Sequence, residues 1–207
     1  MRKTILLALV VGLILFAGTA AQAGQIVLST GSMWEYTFTD PTTLVPAWNA
    51  TTGGGWTEGL APFGNNTGGF SSDPSRLFDY KTWWAADGSD GDDLWVRKSM
   101  DLTGFDLSSV AWGLGVDNGF KLYVNGHLVA EANEEYYTWR WEYSGTFASE
   151  FLNPGVNVVA VALEDHGGLT AFDMQVTATA VPDGGATLML LGGALVGLGA
   201  LRRKFRQ

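Results

Sequence analysis

Two kinds of side chain in this sequence could do chemistry: tryptophans and carboxylates. There are nine tryptophans. The face of an indole can hold a neutral pyranose through its axial C–H groups, and it is also one of the largest apolar fillers a core can use. Trp95 and Trp112 fall in alternating apolar patterns and read as core residues of strands, whereas Trp139 and Trp141, two apart, share one face of a strand that is either core or platform. Trp48, Trp56, Trp83 and Trp84 stand among glycine, asparagine and aspartate in loop-like sequence. These four are the candidates for carbohydrate contact, with packing as the alternative. The carboxylates Asp87, Asp90, Asp92 and Asp93 gather hard oxygens within a short stretch. That suits Ca²⁺, which takes about six to eight oxygen ligands at roughly 2.3–2.6 Å. The ordered Asp-x-Asp-x-Asp-Gly series of an EF-hand loop is absent, so a solvated acidic turn is the competing reading. Asp165 and Asp173 could add distant ligands.

Catalysis has little support. The chain has no cysteine. His127 follows a hairpin turn, and His166 lies in the turn-like run Glu164-Asp165-His166-Gly167-Gly168. Neither Gly-x-Ser-x-Gly nor His-Glu-x-x-His occurs. Two carboxylates meeting in space for glycoside hydrolysis remain open from sequence. The expectation is a protein that is not an enzyme.

The ends of the chain differ from its middle. Arg2 and Lys3, the apolar run Ile5 to Ala17, and Ala21-Gln22-Ala23 have the three parts of a secretory signal peptide over 1–23, so the exported chain is expected to start at Gly24. From Gly184 to Leu201 no residue is charged, and Arg202, Arg203, Lys204 and Arg206 follow at once. As a helix that run would rise about 27 Å, near the lower limit for crossing a bilayer, with the basic cluster on the cytoplasmic side. A membrane helix is therefore expected over 185–201.

Residues 24–180 are the right size for one domain. Two of the 12 basic residues lie in the leader and four in the tail, and 20 of the 21 acidic residues lie in the middle, leaving it about −14. Such a charge repels nucleic acid and favours solubility, neutral ligands or cations. With no cysteine, no disulfide supports the fold.

Within 24–180, clusters of Gly, Asn, Asp, Ser and Thr separate short alternating or apolar runs, the texture of an all-β sandwich or barrel. Strands are expected over 94–102, 109–116, 139–147, 156–163 and 172–179. The run from Asp117 to Ala132 reads as a hairpin about Asn125-Gly126, entered through a turn at Asp117-Asn118-Gly119. Val156 to Leu163 is almost continuously apolar and reads as a central strand buried on both faces. Phe172, Met174, Val176 and Ala178 alternate with polar residues, one face for the core and one for water. The stretch 39–91 reads as long loops with few short strands, where binding function usually sits.

Two resemblances follow from these motifs. Val181-Pro182-Asp183-Gly184-Gly185, the apolar run and Arg202-Arg203-Lys204 resemble the PEP-CTERM class of sorting signals, in its Val-Pro-Asp variant. The resemblance implies recognition by an exosortase, cleavage near Pro182, transient anchoring in the inner membrane, and delivery to the outer surface or exopolysaccharide matrix of a Gram-negative bacterium. Three further stretches, Leu94 to Leu102, Asp117 to Gly126 and Leu152 to Val161, are similar to the galactose-binding-like β-sandwich, or jelly roll. That family implies an accessory module that binds sugar or packs against a neighbour, often with a structural Ca²⁺. Polysaccharide contact is the expected function, with a structural envelope protein lacking a sugar site as the rival and a small glycoside hydrolase as the more distant one.

Overall fold

Alternating apolar residues between turn-forming clusters give twelve strands among the residues that the computed structural model describes, which are 24–42, 47–65, 80–86, 92–133, 140–182, 192–198 and 202–203. In chain order they are β1 (Gln25–Leu28), β2 (Met33–Thr37), β3 (Thr57–Leu60), β4 (Phe63–Gly64), β5 (Thr82–Trp83), β6 (Asp92–Asp101), β7 (Ala111–Asp117), β8 (Gly119–Val124), β9 (His127–Asn133), β10 (Tyr143–Thr146), β11 (Val156–Glu164) and β12 (Ala171–Ala178). One sheet runs β10–β7–β12–β4–β5, with β1 also paired to β12, and the other runs β3–β2–β6–β11–β8–β9. The β4–β5 pair is parallel, and the main ladders are antiparallel. The inner faces of both sheets meet in one core that includes Trp34, Phe63, Trp84, Leu122, Val161 and Phe172. The result is the all-β sandwich that the alternation predicts.

The strands expected over 94–102, 109–116, 156–163 and 172–179 are present, but the one expected over 139–147 shrinks to β10: Trp141 takes a positive φ of 59° in a turn before the strand and so shares no strand face, and Trp139 lies outside the described residues. β11 lies between β6 and β8 and explains its own composition. Val159, Val161 and Leu163 face the main core, while Ala160 and Ala162 face outward beneath Trp48 and Trp95. A strand covered on both faces needs no polar positions, and the small alanines leave room for indoles. Between β8 and β9, Asn125 and Gly126 both take positive φ, 49° and 85°, as a type I′ turn demands.

The asparagines near that turn are structural. Asn157, 1% exposed, accepts from the Asn153 N–H and donates to the Asn153 and Gly155 carbonyls, while Asn125 donates to the Phe151 carbonyl and to Asn157 Oδ1. Two side chains thus satisfy the backbone of the 152–157 turn, which a buried turn cannot leave unpaired.

Asp117-Asn118-Gly119 is the turn into the β8–β9 hairpin, and it also passes the chain from one sheet to the other, because β7 and β8 belong to different sheets. Asn118 carries the chain across the corner: its N–H donates to the Glu164 carbonyl, and its Oδ1 accepts from the His166 N–H. Two further expectations need correction. On β12, Asp173 does not face water and is 0% exposed, because the β1–β2 turn covers that position. β1 and β2 were not expected as strands at all. β1 pairs with β12 in the register Gln25↔Ala178, and β2 bridges β3 and β6, burying Trp34 at 1% exposure.

Past β12 the chain stays attached. Phe105 and Ala180 form an isolated bridge, and the Val181 N–H donates to the Gly104 carbonyl at 2.8 Å. The expected leader over 1–23 and most of the expected 185–201 helix lie outside the described residues. Residues 192–198 and 202–203 are helical, and among the described residues no helix is long and apolar enough to cross a membrane.

Candidate functional site

The four loop tryptophans separate into three environments. Trp48 and Trp56 are brought together, stacked with centroids 6.2 Å apart and planes 14° apart. Trp48 is 5% exposed and packs with Trp95, Ala160, Ala162 and Tyr123 on the outer face of the second sheet. The buried Arg97 of β6 fastens this layer. Its Nε donates to Glu35 Oε2 at 2.8 Å, its Nη1 to the Trp48 carbonyl at 3.3 Å, and its Nη2 to the Gly53 carbonyl. Its guanidinium lies 3.8 Å from the Trp56 ring centroid. Glu35 also accepts from the Gly53 N–H at 2.8 Å. The 47–56 segment is therefore a lid over the sheet. For Trp48 the expectation of a sugar-facing side chain is corrected: the indole fills space above two alanines.

Trp83 and Trp84 are adjacent and opposite. Successive residues of an extended chain point to opposite sides. Lys81 and Trp83 face out, whereas Trp84 is 1% exposed within the main core, so its expected surface role is also corrected. Trp83 is 54% exposed and is held edge-to-face by Tyr80, with centroids 5.3 Å apart. The backbone beneath is fixed: the Lys81 N–H donates to the Pro62 carbonyl at 2.7 Å, and Thr82 Oγ1 donates to the Leu60 carbonyl at 2.9 Å.

The acidic cluster does not assemble as a cation site where it is described. Asp87 and Asp90 lie outside the described residues. Asp92 and Asp93 are consecutive residues of β6, so their carboxylates diverge. Asp92 is held by Lys121 Nζ at 2.9 Å, and Asp93 Oδ2 accepts from the Asp165 N–H at 2.7 Å. Among the described residues no group of three or more His, Asp or Glu side chains is placed to hold a metal.

One feature was not expected from sequence. A cleft of about 360 Å³ is lined by Thr30 and Gly31 of the β1–β2 turn, the Leu60–Pro62 segment, Lys81 and Arg140. The five described basic residues of 24–180 are Lys81, Arg97, Lys98, Lys121 and Arg140. Arg97 and Lys121 are ion-paired and Lys98 Nζ donates to the Met33 carbonyl, so the other two meet at this cleft. Four separated segments build it, so no contiguous motif could announce it. The one local hint is the run Tyr80-Lys81-Thr82-Trp83, a cation between aromatics.

Beneath the cleft lies Asp173. Its carboxylate accepts from Thr30 Oγ1, from the Met174 N–H and from the Gly31 N–H. Burial pushes its pKa above the ordinary 3.8, and these hydrogen bonds, with the charge of Arg140, only partly oppose that. A raised carboxyl pKa means the folded protein holds this proton to higher pH than the unfolded chain does. The site's contribution therefore falls as pH rises through that window and stays unfavourable at neutral pH. Asp173→Asn should raise stability at pH 7, with the gain shrinking as pH falls through the raised folded pKa toward 3.8 and absent below it. Urea denaturation of both proteins at pH 7 and pH 3.5 checks this, and an equal gain at both would show that the charge is not the cause.

Residues 180–205 match the VPDSG-CTERM motif. The chain carries a C-terminal sorting signal. Val181, Pro182, Asp183, Gly184 and Gly185 at its start, and Arg202, Arg203 and Lys204 at its end, fall inside the match. The signal marks an exported, surface-sorted protein and implies a sorting enzyme of the exosortase or sortase type. The match covers the tail and not the sandwich. No curated protein matches the sequence. Among solved structures, the chain is similar to a beta-glucuronidase of Ruminococcus gnavus, at 13% identity and a TM-score of 0.48, over 78% of this chain and 29% of that one. It is also similar to a beta-glucuronidase of an uncultured Clostridium sp., at 11% identity and a TM-score of 0.45, over 78% of this chain and 30% of that one. The chain spans less than a third of the length of either enzyme.

Proposed function

We propose that this is a non-enzymatic protein of the outer surface or extracellular matrix whose sandwich holds polysaccharide at the surface around Trp83. The observation that carries the reading is the indole itself. Trp83 is 54% exposed, yet its strand is fastened to the Leu60–Pro62 segment and its ring is braced by Tyr80. A large aromatic held rigid in water loses little conformational freedom when a pyranose stacks on it. The described carboxylates with stated partners serve the fold: Glu35 holds Arg97, Asp92 holds Lys121, and Asp173 anchors the β1–β2 turn. That supports a binding role over a hydrolytic one.

The remaining parts of the reading follow from the tail. An exosortase would cut near Pro182 after the apolar 185–201 segment had held the chain transiently in the inner membrane of a Gram-negative cell, and exopolysaccharide would be the partner outside. The test is binding of the secreted protein to a panel of neutral and acidic polysaccharides. Saturable binding to at least one, weakened at least tenfold by Trp83→Ala, is the expected result. A folded protein that binds none would overturn the reading in favour of a structural envelope protein.

A further inference from the structure

We infer that the cleft beside Trp83 takes a carboxylated sugar, a uronate or a similarly acidic pyranose, in preference to a neutral one. This rests on the polysaccharide reading above and names the class of sugar.

The argument begins with charge. Residues 24–180 carry about −14, with six basic residues against 20 acidic ones. Two of the five described basic residues nevertheless line a single cleft. Lys81 and Arg140 are both exposed, and the lining given by Thr30, Gly31, Leu60, Ala61, Pro62 and these two cations holds no carboxylate. Among the described residues the cleft wall is therefore positive on a negative body. At physiological salt the Debye length is about 8 Å, so the distant acidic groups are largely screened from a ligand in contact with these two cations.

Ligand shape follows from what else is present. Arg140 offers a planar fork that meets a carboxylate with two parallel hydrogen bonds, and Lys81 offers a compact point charge. Trp83 lies two residues from Lys81 on the same outward side, and Leu60 and Pro62 add apolar surface. Two cations on an apolar wall, with an exposed indole two residues along the chain from one of them, suit a flat ring that carries one carboxylate. A cleft of about 360 Å³ has room for one or two sugar residues and not for a long stretch of chain.

The experiment compares a galacturonate oligomer, the same oligomer with its carboxyls reduced to alcohols, and a sulfated glucan of similar length, titrated into the intact secreted protein. Expected are at least tenfold tighter binding of the galacturonate than of its reduced form, and loss of about that factor in Lys81→Gln and in Arg140→Gln, as removal of one charge-assisted hydrogen bond would give. Both positions are exposed, so the fold should survive either change. Trp83→Ala should weaken the acidic and reduced sugars alike. Equal binding of the acidic and reduced oligomers, or a preference unchanged in both cation variants, overturns the inference and leaves polysaccharide binding standing. Equal binding of the sulfated glucan would mark a general anion patch and overturn the carboxylate assignment. Binding of none of the three, nor of any neutral glycan, brings down the polysaccharide reading itself.

Discussion

Arg97→Ala should lower the stability of the domain by about 3–5 kcal/mol, the range for removing one partner of a buried ion pair. The size follows from what the guanidinium answers. It is 1% exposed and meets the Glu35 carboxylate and the carbonyls of Trp48 and Gly53. Truncation leaves these acceptors short of a donor in a place water reaches poorly, and each such group costs about 1–3 kcal/mol. It also removes the cation from beneath Trp56. Arg97→Lys should recover little, because an ammonium cannot reach three acceptors in a plane and stack on an indole together. Hydrogen exchange would locate the effect. The 47–56 segment should lose protection before β11 does, since the lid hangs from Arg97 while β11 keeps its ladders to β6 and β8. Uniform loss across the sandwich would mean that Arg97 supports the sheet and not the lid.

Trp84→Ala should cost about 3–5 kcal/mol, as emptying a large aromatic site in a core does. Trp83→Ala, one residue away, should change stability by no more than about 0.5 kcal/mol while weakening glycan binding at least tenfold. Trp84 is in the main core, and its carbonyl accepts from Thr170 Oγ1, so its backbone cannot shift to fill the void. Trp83 is 54% exposed and loses its edge-to-face contact with Tyr80. Denaturant melts and glycan titrations on both variants separate the two roles. If Trp83→Ala destabilised the domain as much as Trp84→Ala, the exposed indole would be a structural residue and the proposed platform would lose its basis.

The contrast between these neighbours shows where sequence reading reached its limit. Local chemistry was legible. Asn125-Gly126 can serve a type I′ turn whatever surrounds it, and the apolar run of β11 can satisfy only a strand covered on both faces. The end of the chain was legible for the same reason, since a Val-Pro-Asp start, an apolar run and a basic finish carry their order with them. Tryptophan was not legible, because the same ring suits a core and a sugar. Its role is decided by side-chain alternation in a two-residue strand, β5, whose register comes from distant partners. β1 and β2 escaped because their pairing lies elsewhere in the chain: β1 answers β12, and β2 answers β6. The acidic cluster misled because neighbouring aspartates in sequence diverge once they join a strand. The cleft needed four segments to meet before its two cations became a pair of any consequence.

The pairing of β1 with β12 also decides how the molecule carries load. Gln25 and Ala178 face one another across an antiparallel pair, so the two flanks of the sandwich leave from one corner. Tension between those flanks opens that pair like a zipper, one hydrogen bond after another, and meets little resistance. Tension entering from the sorted end alone runs along β12, which is paired with β7 from Ala171↔Asp117 to Thr177↔Ala111. There the rungs are strained lengthwise and share the force. A force that enters at the C-terminal flank and leaves through the body of the sandwich therefore meets the stronger of the two geometries, and a force between the two flanks meets the weaker one.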